Sequence, residues 1–400
     1  MAVIAMNWEL GADLGHIGRF LPIALELRRR GHRPVMLLRD ISRAESILGP
    51  HGLEFMQAPV WLTHVSGLPP DINFTETMFR FGYLHPPGLL SMCRAWRAVW
   101  ALLNPAVLIF DHAPTAMLAA RGMGLPRVVI GNSFAIPPSR RPLPRFRWWT
   151  DGVADGARLL ETEARATRNG NFVLKALGAP LLGQVSDIFA AEKIFICSSP
   201  DLDVYGVRSD GQYLGPINNV EHGEEPTWPK GRDAKVFAYI KPGYKHFEVL
   251  LEAISRCKLA SYLIFAPGMP EQWRKKYGAP HIVFSESPFK MAEVVRDCST
   301  VICHAGGVTD VALQAGRPVL LLPTQMEQTM TSRRVESLGA GVFLPLDGNP
   351  ANIAKLLKQL HTDSSLSLRA EEYAATSCEI DRAGAIDNLV TACVSLTGSA

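Results

Sequence analysis

Hydrophobic and polar positions fall into two patterns that alternate along the chain. Short unbroken apolar runs are separated by longer stretches in which apolar residues recur every three or four positions. In the first half, residues 2–5 predict a strand and 7–15 a loop, followed by a helix at 18–30. Ile17, Phe20, Leu21, Ala24 and Leu25 share one helical face there, and Gly31 stands where a helix C-cap is expected. Residues 34–38, 53–58, 106–110, 127–130 and 193–196 predict further strands, with helical patterns at 89–103 and 115–121. The second half repeats the plan, with strands at 235–240, 262–266, 282–285, 301–303 and 319–322. Its helical patterns fall at 247–257, 291–296, from about 309, and at 331–338, 353–360, 366–377 and 385–396.

Strands separated by helices imply parallel sheets covered on both faces. The expected class is α/β, as two Rossmann-like, doubly wound parallel-sheet domains, and 400 residues suffice for two cores. The polar stretch NNVEHGEEPTWPKGRD at 218–233 is the expected linker between domains at 1–217 and 234–377. Residues 378–400 are expected to lay a helix back on the first domain. Doubly wound sheets bind ligands beyond the carboxyl ends of their strands. Two such domains facing a cleft would offer one wall to each of two substrates.

Composition narrows the class. The chain is 47% hydrophobic and 20% charged, as expected of a soluble globular protein. Its 33 Gly and 29 Pro are spread among the apolar runs, which predicts many short loops rather than a disordered tract. A net charge of +3 is too mild for the basic stripe that nucleic-acid binding requires. The seven cysteines form no C-x-x-C pair and no zinc-like grouping with histidine, so reduced thiols in a cytoplasmic protein, and no metal, are expected. The first ten residues lack a basic n-region and an apolar h-region. No apolar stretch approaches the roughly 18 residues of a membrane span.

The strongest chemical signal is His304-Ala-Gly-Gly-Val-Thr-Asp310, which follows the apolar run 301–303 and opens a helix. Small residues there let backbone N–H groups approach an anion, and the helix start adds partial positive charge. His304 and the Thr309 hydroxyl are candidate donors to phosphate oxygens. The competing reading is a Gly-rich strand-to-helix turn with a capping threonine. Downstream follow Gly316-Arg-Pro318, an apolar strand, Pro323-Thr-Gln-Met-Glu-Gln328 and Gly339-Ala-Gly341.

This order resembles the donor signature of the UDP-glycosyltransferase superfamily, which includes plant secondary-metabolite and bacterial antibiotic glycosyltransferases. That signature runs His-x-Gly, a helix, Gly-x-Pro, a strand, Pro-x-x-x-Asp-Gln and a late Gly-x-Gly. The resemblance implies a GT-B fold, with a nucleotide-sugar bound by the second domain as co-substrate and no other cofactor. It further implies that His304 and the backbone of Gly306, Gly307, Val308 and Thr309 hold the diphosphate. Glu327, in place of the family's Asp, and Gln328 would then bind hydroxyls of the donor sugar. Glu286 and Phe289 stand where the family carries a Trp and a Gln that stack on the base and bind the ribose. Asp310 is the candidate substitute for a ribose-binding Glu, which completes the expected nucleoside-binding group.

The first half carries a matching signal in Gly15-His16-Ile17. The superfamily opens with a Gly-His-x-x-Pro loop whose His is the catalytic base, which implies that role for His16, with Arg19 at the proline position. A histidine after the first strand suits proton abstraction near neutral pH; a histidine at a helix start also caps or packs. Asp111 follows the run 106–110 and precedes a helix and Gly124-Leu-Pro126. Family members place an Asp here to orient the imidazole and stabilise its protonated form. An aspartate at a strand end is also a common N-cap, and His112 beside it is a rival imidazole.

The expected activity is a metal-independent, inverting hexosyl transfer from a UDP- or dTDP-sugar to a hydroxyl of a small, largely apolar acceptor. Two alternatives stand beside it: a GT-B-shaped nucleotide-sugar epimerase, and a catalytically silent nucleotide-sugar-binding auxiliary protein. Asp201-Leu-Asp203 looks like the D-x-D metal site of the other large glycosyltransferase fold, but it falls where this superfamily runs a non-catalytic loop. Residues 140–149 (RRPLPRFRWW) concentrate Arg140, Arg141, Arg145 and Arg147 with one Phe and two Trp. They line the acceptor side, touch an anionic membrane surface, or form a basic loop whose Trp rings stack on protein. Trp61, His64 and His85 fall where the family builds its acceptor pocket.

Overall fold

The computed structural model describes residues 1–12, 15–151, 155–217, 223–230, 232–377 and 382–398. It divides into two compact units, Met1–Ile217 with Arg382–Ala400, and Asn218–Asp381. The first unit holds seven strands: β1 (Val3–Trp8), β2 (Arg33–Leu38), β3 (Glu54–Gln57), β4 (Val107–Asp111), β5 (Arg127–Gly131), β6 (Lys193–Ile196) and β7 (Gln212–Tyr213). They pair in the order β3-β2-β1-β4-β5-β6-β7, every pair parallel. The chain winds outward from β1 to β3 and then returns to β4. The β1–β4 junction is therefore a topological switch point, where such sheets open a crevice. In register, Trp8 at the end of β1 lies beside Asp111 at the end of β4.

β1 runs to Trp8, further than the apolar run 2–5 predicts, because Asn7 is fully provided for inside the sheet. Its Nδ2 donates to the carbonyls of Ala5 (3.0 Å) and Ile109 (2.8 Å), and Trp100 Nε1 donates to its Oδ1 (3.0 Å). A buried amide with its partners in place adds no desolvation penalty that would end a strand. The next helix, Gly15–Arg29, begins before the predicted residue 18 and takes His16 into its first turn. The helix Gly156–Ala176 was not foreshadowed by the apolar pattern. It buries Glu163, Ala166, Gly170, Val173 and Leu174, which have helical spacing but are mostly small or polar. The helix Arg382–Leu396 buries Ala385, Leu389, Val390 and Cys393 in the core that Ile17, Phe20 and Ala24 enter from the helix Gly15–Arg29. Arg30 adds an ion pair to Asp387 at 2.5 Å.

The second unit holds β8 (Lys235–Tyr239), β9 (Ser261–Phe265), β10 (Ile282–Ser285), β11 (Thr300–Cys303), β12 (Val319–Leu321) and β13 (Gly341–Phe343). They pair in parallel in the order β10-β9-β8-β11-β12-β13, so the switch point falls between β8 and β11. Of the expected linker at 218–233, residues 218–222 and 231 lie outside the described residues. Glu224 is tied to the second unit: its N–H donates to Pro288 O (2.8 Å), and its carbonyl accepts from Lys290 N (2.9 Å). Among the described residues, no helix is long and apolar enough to cross a membrane.

Leu389 is fully buried where the last helix meets the first unit's core. Leu389→Ala should destabilise that unit by about 2–5 kcal/mol, the range for a truncated buried leucine. Urea unfolding followed by tryptophan fluorescence measures this, and an unshifted transition would mean that the helix contributes nothing to the core.

Candidate active site

The two switch points collect most of the residues singled out above. In the first unit Asp111 is wholly buried. His16 Nδ1 lies 2.9 Å from Asp111 Oδ2, and Arg19 Nη1 lies 2.5 Å from the same oxygen. Burial pushes the Asp111 carboxyl upward, but Arg19 and then His16 oppose it, and the net result is a pKa held down at about 2. An ionised carboxylate only accepts, so His16 donates to it through Nδ1–H, and in the neutral ring Nε2 is the nitrogen with the lone pair. Nε2 has no hydrogen bond among the described residues. Gly11 lies against it with φ +87°, and a Cβ there would stand 2.6 Å from Nε2. Trp8 stacks on the imidazole with centroids 4.8 Å apart and planes 20° apart.

His112 takes a left-handed φ of +50°, and its ring is buried against Phe74 and Phe134. Burial pushes its pKa down to about 3. Its ring stands 6.0 Å from that of His16 but makes no hydrogen bond to Asp111. Geometry thus favours His16 over the rival imidazole.

In the second unit, β11 is followed by His304 and by Ala305 at φ +56°, a conformation costing a non-glycine residue about 1–2 kcal/mol. This turn exposes Gly306 and Gly307 at the start of the helix Gly307–Gln314, which no side chain caps. His304 differs from expectation. Its Nδ1–H donates to Leu322 O (2.6 Å), and its Nε2 accepts from Lys241 N–H (3.0 Å). The neutral ring ties together the segments that follow β8, β11 and β12, and it has no proton left for a phosphate. Thr309 is a second correction, because its hydroxyl is buried 3.3 Å from Cys303 Sγ. The groups that can face an anion here are the backbone amides of the turn and first helical residues.

The helix Met326–Leu338 presents Glu327 and Gln328 in its first turn. Gln328 Oε1 accepts from the N–H (2.7 Å) and the hydroxyl (2.9 Å) of Thr324, and its NH2 makes no hydrogen bond among the described residues. Glu327 Oε2 accepts from Gln325 Nε2 at 3.5 Å. Asp310 is half-buried in the first turn of the helix Gly307–Gln314. The expected nucleoside group is not assembled. Phe289 is only 6% exposed and packs edge-on to Phe237, so it is a core residue rather than a stacking or ribose-binding one. Glu286 is exposed, paired with Arg274 at 2.5 Å, and lies beyond the edge strand β10, well away from β11.

No family model matches the chain. It is 26% identical over 293 residues to the PGL/p-HBAD biosynthesis glycosyltransferase of Mycobacterium tuberculosis (strain ATCC 25177 / H37Ra), covering 68% of this chain and 67% of that relative. Two solved structures share its fold. The glycotransferase of kitacinnamycin aligns with a TM-score of 0.70 at 18% identity over 97% of this chain and 98% of the other. The spinosyn rhamnosyltransferase SpnG complexed with thymidine diphosphate aligns with a TM-score of 0.66 at 16% identity over 97% and 100%. The chain is thus similar, in sequence and in fold, to glycosyltransferases of the kind that its motifs resemble. It has the GT-B fold and is a glycosyltransferase.

Other expected positions of the glycosyltransferase prove structural. Asp203 is buried and accepts from Arg208 Nε (2.8 Å), Tyr213 OH (2.7 Å) and Tyr205 N (2.9 Å), so the second aspartate of D-x-D belongs to an internal network, while Asp201 is exposed. His85 Nδ1 accepts from Gly88 N at 2.9 Å and caps the helix Pro86–Leu103, Trp61 packs near it, and His64 is exposed. Within 140–149, Leu143 and Phe146 are buried and Arg145 binds the carbonyls of Arg147 and Thr150, whereas Arg140, Arg141 and Arg147 are exposed. Sequence reasoning missed Trp8, Arg19 and Lys241. Arg19 carried a usable signal, since a residue three after His16 shares its helix face.

Thr309→Val should leave affinity for UDP and dTDP within about threefold, short of the roughly 1.5–3 kcal/mol of a lost bond to a charged group. Calorimetric titration checks this; a loss of tenfold or more, about 1.4 kcal/mol, would put the hydroxyl on the phosphate.

Proposed function

We propose that this glycosyltransferase carries out a metal-independent, inverting transfer of a hexose from a UDP- or dTDP-sugar to a hydroxyl of a small, largely apolar acceptor. The observation that carries the reading is the His16–Asp111 pair, in which the carboxylate fixes the proton on Nδ1 and leaves Nε2 as a base. Nε2 takes the acceptor's hydroxyl proton as that oxygen attacks the anomeric carbon. The bond from that carbon to the β-phosphate oxygen breaks, and the nucleoside diphosphate leaves with the electron pair. Asp111 stabilises the imidazolium that forms. Backbone amides from Gly306 to Thr309 and the start of their helix offset the leaving charge, which makes a metal unnecessary. A single in-line attack inverts the anomeric centre.

Glu327 and the amide NH2 of Gln328 are assigned to hydroxyls of the donor sugar, and Asp310 to the ribose. His304 acts by holding the diphosphate turn rather than by donating to it. The thymidine diphosphate bound by the similar spinosyn enzyme makes a dTDP-sugar the first donor to try. The apolar acceptor follows from the resemblance, since Phe74, Phe134 and Phe146 around His112 are themselves buried in the core. Phe146, in the Arg/Trp segment, is buried against Phe134, so this part of the segment packs on the protein itself.

His16→Ala should lower kcat by about 10²–10⁴-fold, the usual contribution of a general base, with diphosphate affinity unchanged. Turnover above roughly half of wild type would rule out the mechanism, given that scale. EDTA should leave the wild-type rate unaltered; a chelator-sensitive rate restored by added metal would contradict the metal-free step. Gln328→Ala should weaken the sugar nucleotide while leaving the free diphosphate unaffected. Equal losses for both ligands would remove Gln328 from the sugar.

A further inference from the structure

A buried imidazole ordinarily has its ring nitrogens satisfied by hydrogen bonds. The ring of His112 makes none among the described residues. Its Nε2 is buried without a partner, and Phe74 and Phe134 pack around it with centroids 5.7 and 6.2 Å away. For packing alone a phenylalanine would serve, without a polar atom to desolvate. His112 is also held at φ +50°, and conformations of this kind persist where neighbours enforce them and gather at functional sites. One such neighbour is Leu10, whose N–H donates to His112 O at 2.9 Å and ties the segment after β1 to the turn after β4.

The other nitrogen, Nδ1, borders the same space as the base. A Cβ on Gly11 would stand 2.6 Å from His16 Nε2 and 3.2 Å from His112 Nδ1, so the two nitrogens lie within two hydrogen-bond lengths of each other. Gly11 has no side chain to fill that space, and both Gly11 and His16 are half-buried rather than sealed in the core. Burial keeps the His112 ring neutral, with its pKa pushed down to about 3, so one nitrogen carries a proton and the other does not. A buried N–H without a partner is rarer than a buried acceptor without one, which puts the proton on Nδ1.

We propose that His112 is a second acceptor-binding residue, whose Nδ1–H donates to the same hydroxyl oxygen from which His16 Nε2 takes the proton. The proposal rests on the reading of His16 as the acceptor base. A hydroxyl oxygen has one proton and two lone pairs. The proton passes to His16, and one lone pair forms the bond to the anomeric carbon as the bond to the β-phosphate oxygen breaks. The other lone pair accepts from His112, whose own proton stays on Nδ1. Two fixed bonds to one oxygen leave a single lone pair to attack, which orients the acceptor.

The test uses the full-length protein labelled with 15N-histidine, long-range 1H–15N spectra at neutral pH, and 2-naphthol as a small apolar hydroxyl probe. The signals of each ring are identified by their loss in His16→Ala and in His112→Phe. In the free protein the His112 proton should be on Nδ1, and 2-naphthol should move the His112 Nδ1 and His16 Nε2 signals together. His112→Phe keeps a ring but removes the donor, and should weaken 2-naphthol about three- to tenfold by calorimetry, the scale of one lost hydrogen bond. His112→Asn, whose amide N–H falls about where Nδ1 stands, should recover most of that loss. If His112→Phe does not fold by circular dichroism, His112→Ala replaces it with the same expected loss. A proton on His112 Nε2 in the free protein would overturn the proposal. So would unchanged affinity in His112→Phe, an equal loss in His112→Asn, or a response of His112 without His16. A response of His16 alone would defeat the role of His112 alone, and a response of neither ring would defeat the acceptor site with it. An active His16→Ala enzyme would defeat the base assignment while leaving the tautomer and affinity results intact.

Discussion

A carboxylate taken out of water costs several kcal/mol unless cations or donors replace its hydration. Asp111 is such a group, with no exposed surface at the carboxyl end of β4. Its compensation comes from one helix, which delivers His16 and Arg19 a turn apart to the same oxygen. That requirement orients the helix Gly15–Arg29 against β4 and selects the tautomer of His16. Gly131 leaves room for the other oxygen, Oδ1, which a Cβ there would approach to 3.1 Å. Oδ1 itself has no hydrogen-bond partner among the described residues, so the carboxylate depends all the more on the two side chains at Oδ2.

The second unit meets a related need by different chemistry. Its switch point has to present amides to an anion, and a histidine again organises the turn. His304 bonds Leu322 with one nitrogen and Lys241 with the other, so it is a structural tie, where the Nε2 of His16 has no hydrogen bond among the described residues. Each switch-point strand is followed within two residues by a non-glycine residue in the left-handed region, His112 after β4 and Ala305 after β11. Such conformations persist only where surrounding structure enforces them, and they gather at functional sites. In each unit a turn of this kind sits beside the residues assigned to chemistry.

The parallel sheets were legible because their strands are continuous apolar runs spaced by helices, and His16 and Asp111 because their motifs occur in order. What failed was whatever depended on partners. Asn7 looks like the start of a loop until Ile109 and Trp100 satisfy its amide. The helix Gly156–Ala176 buries a glutamate, an alanine and a glycine, so its inner face carries little apolar signal. Thr309 and Phe289 have the right chemistry for a ligand but point into the core, and one residue of register decides that. Arg19 read as a departure from a motif because a sequence does not reveal that the side chain reaches Asp111.

The central claim is that Asp111 acts on the reaction through His16, and a double-mutant cycle on kcat tests it most directly. Single and double variants of His16→Ala and Asp111→Asn would be compared with wild type under saturating donor. If Asp111 works by orienting the imidazole and stabilising its protonated form, adding Asp111→Asn to His16→Ala should lower kcat little further, because groups acting as a unit are strongly non-additive. Losses that simply multiply would mean that Asp111 and His16 serve separate steps, and the account of the site would fail.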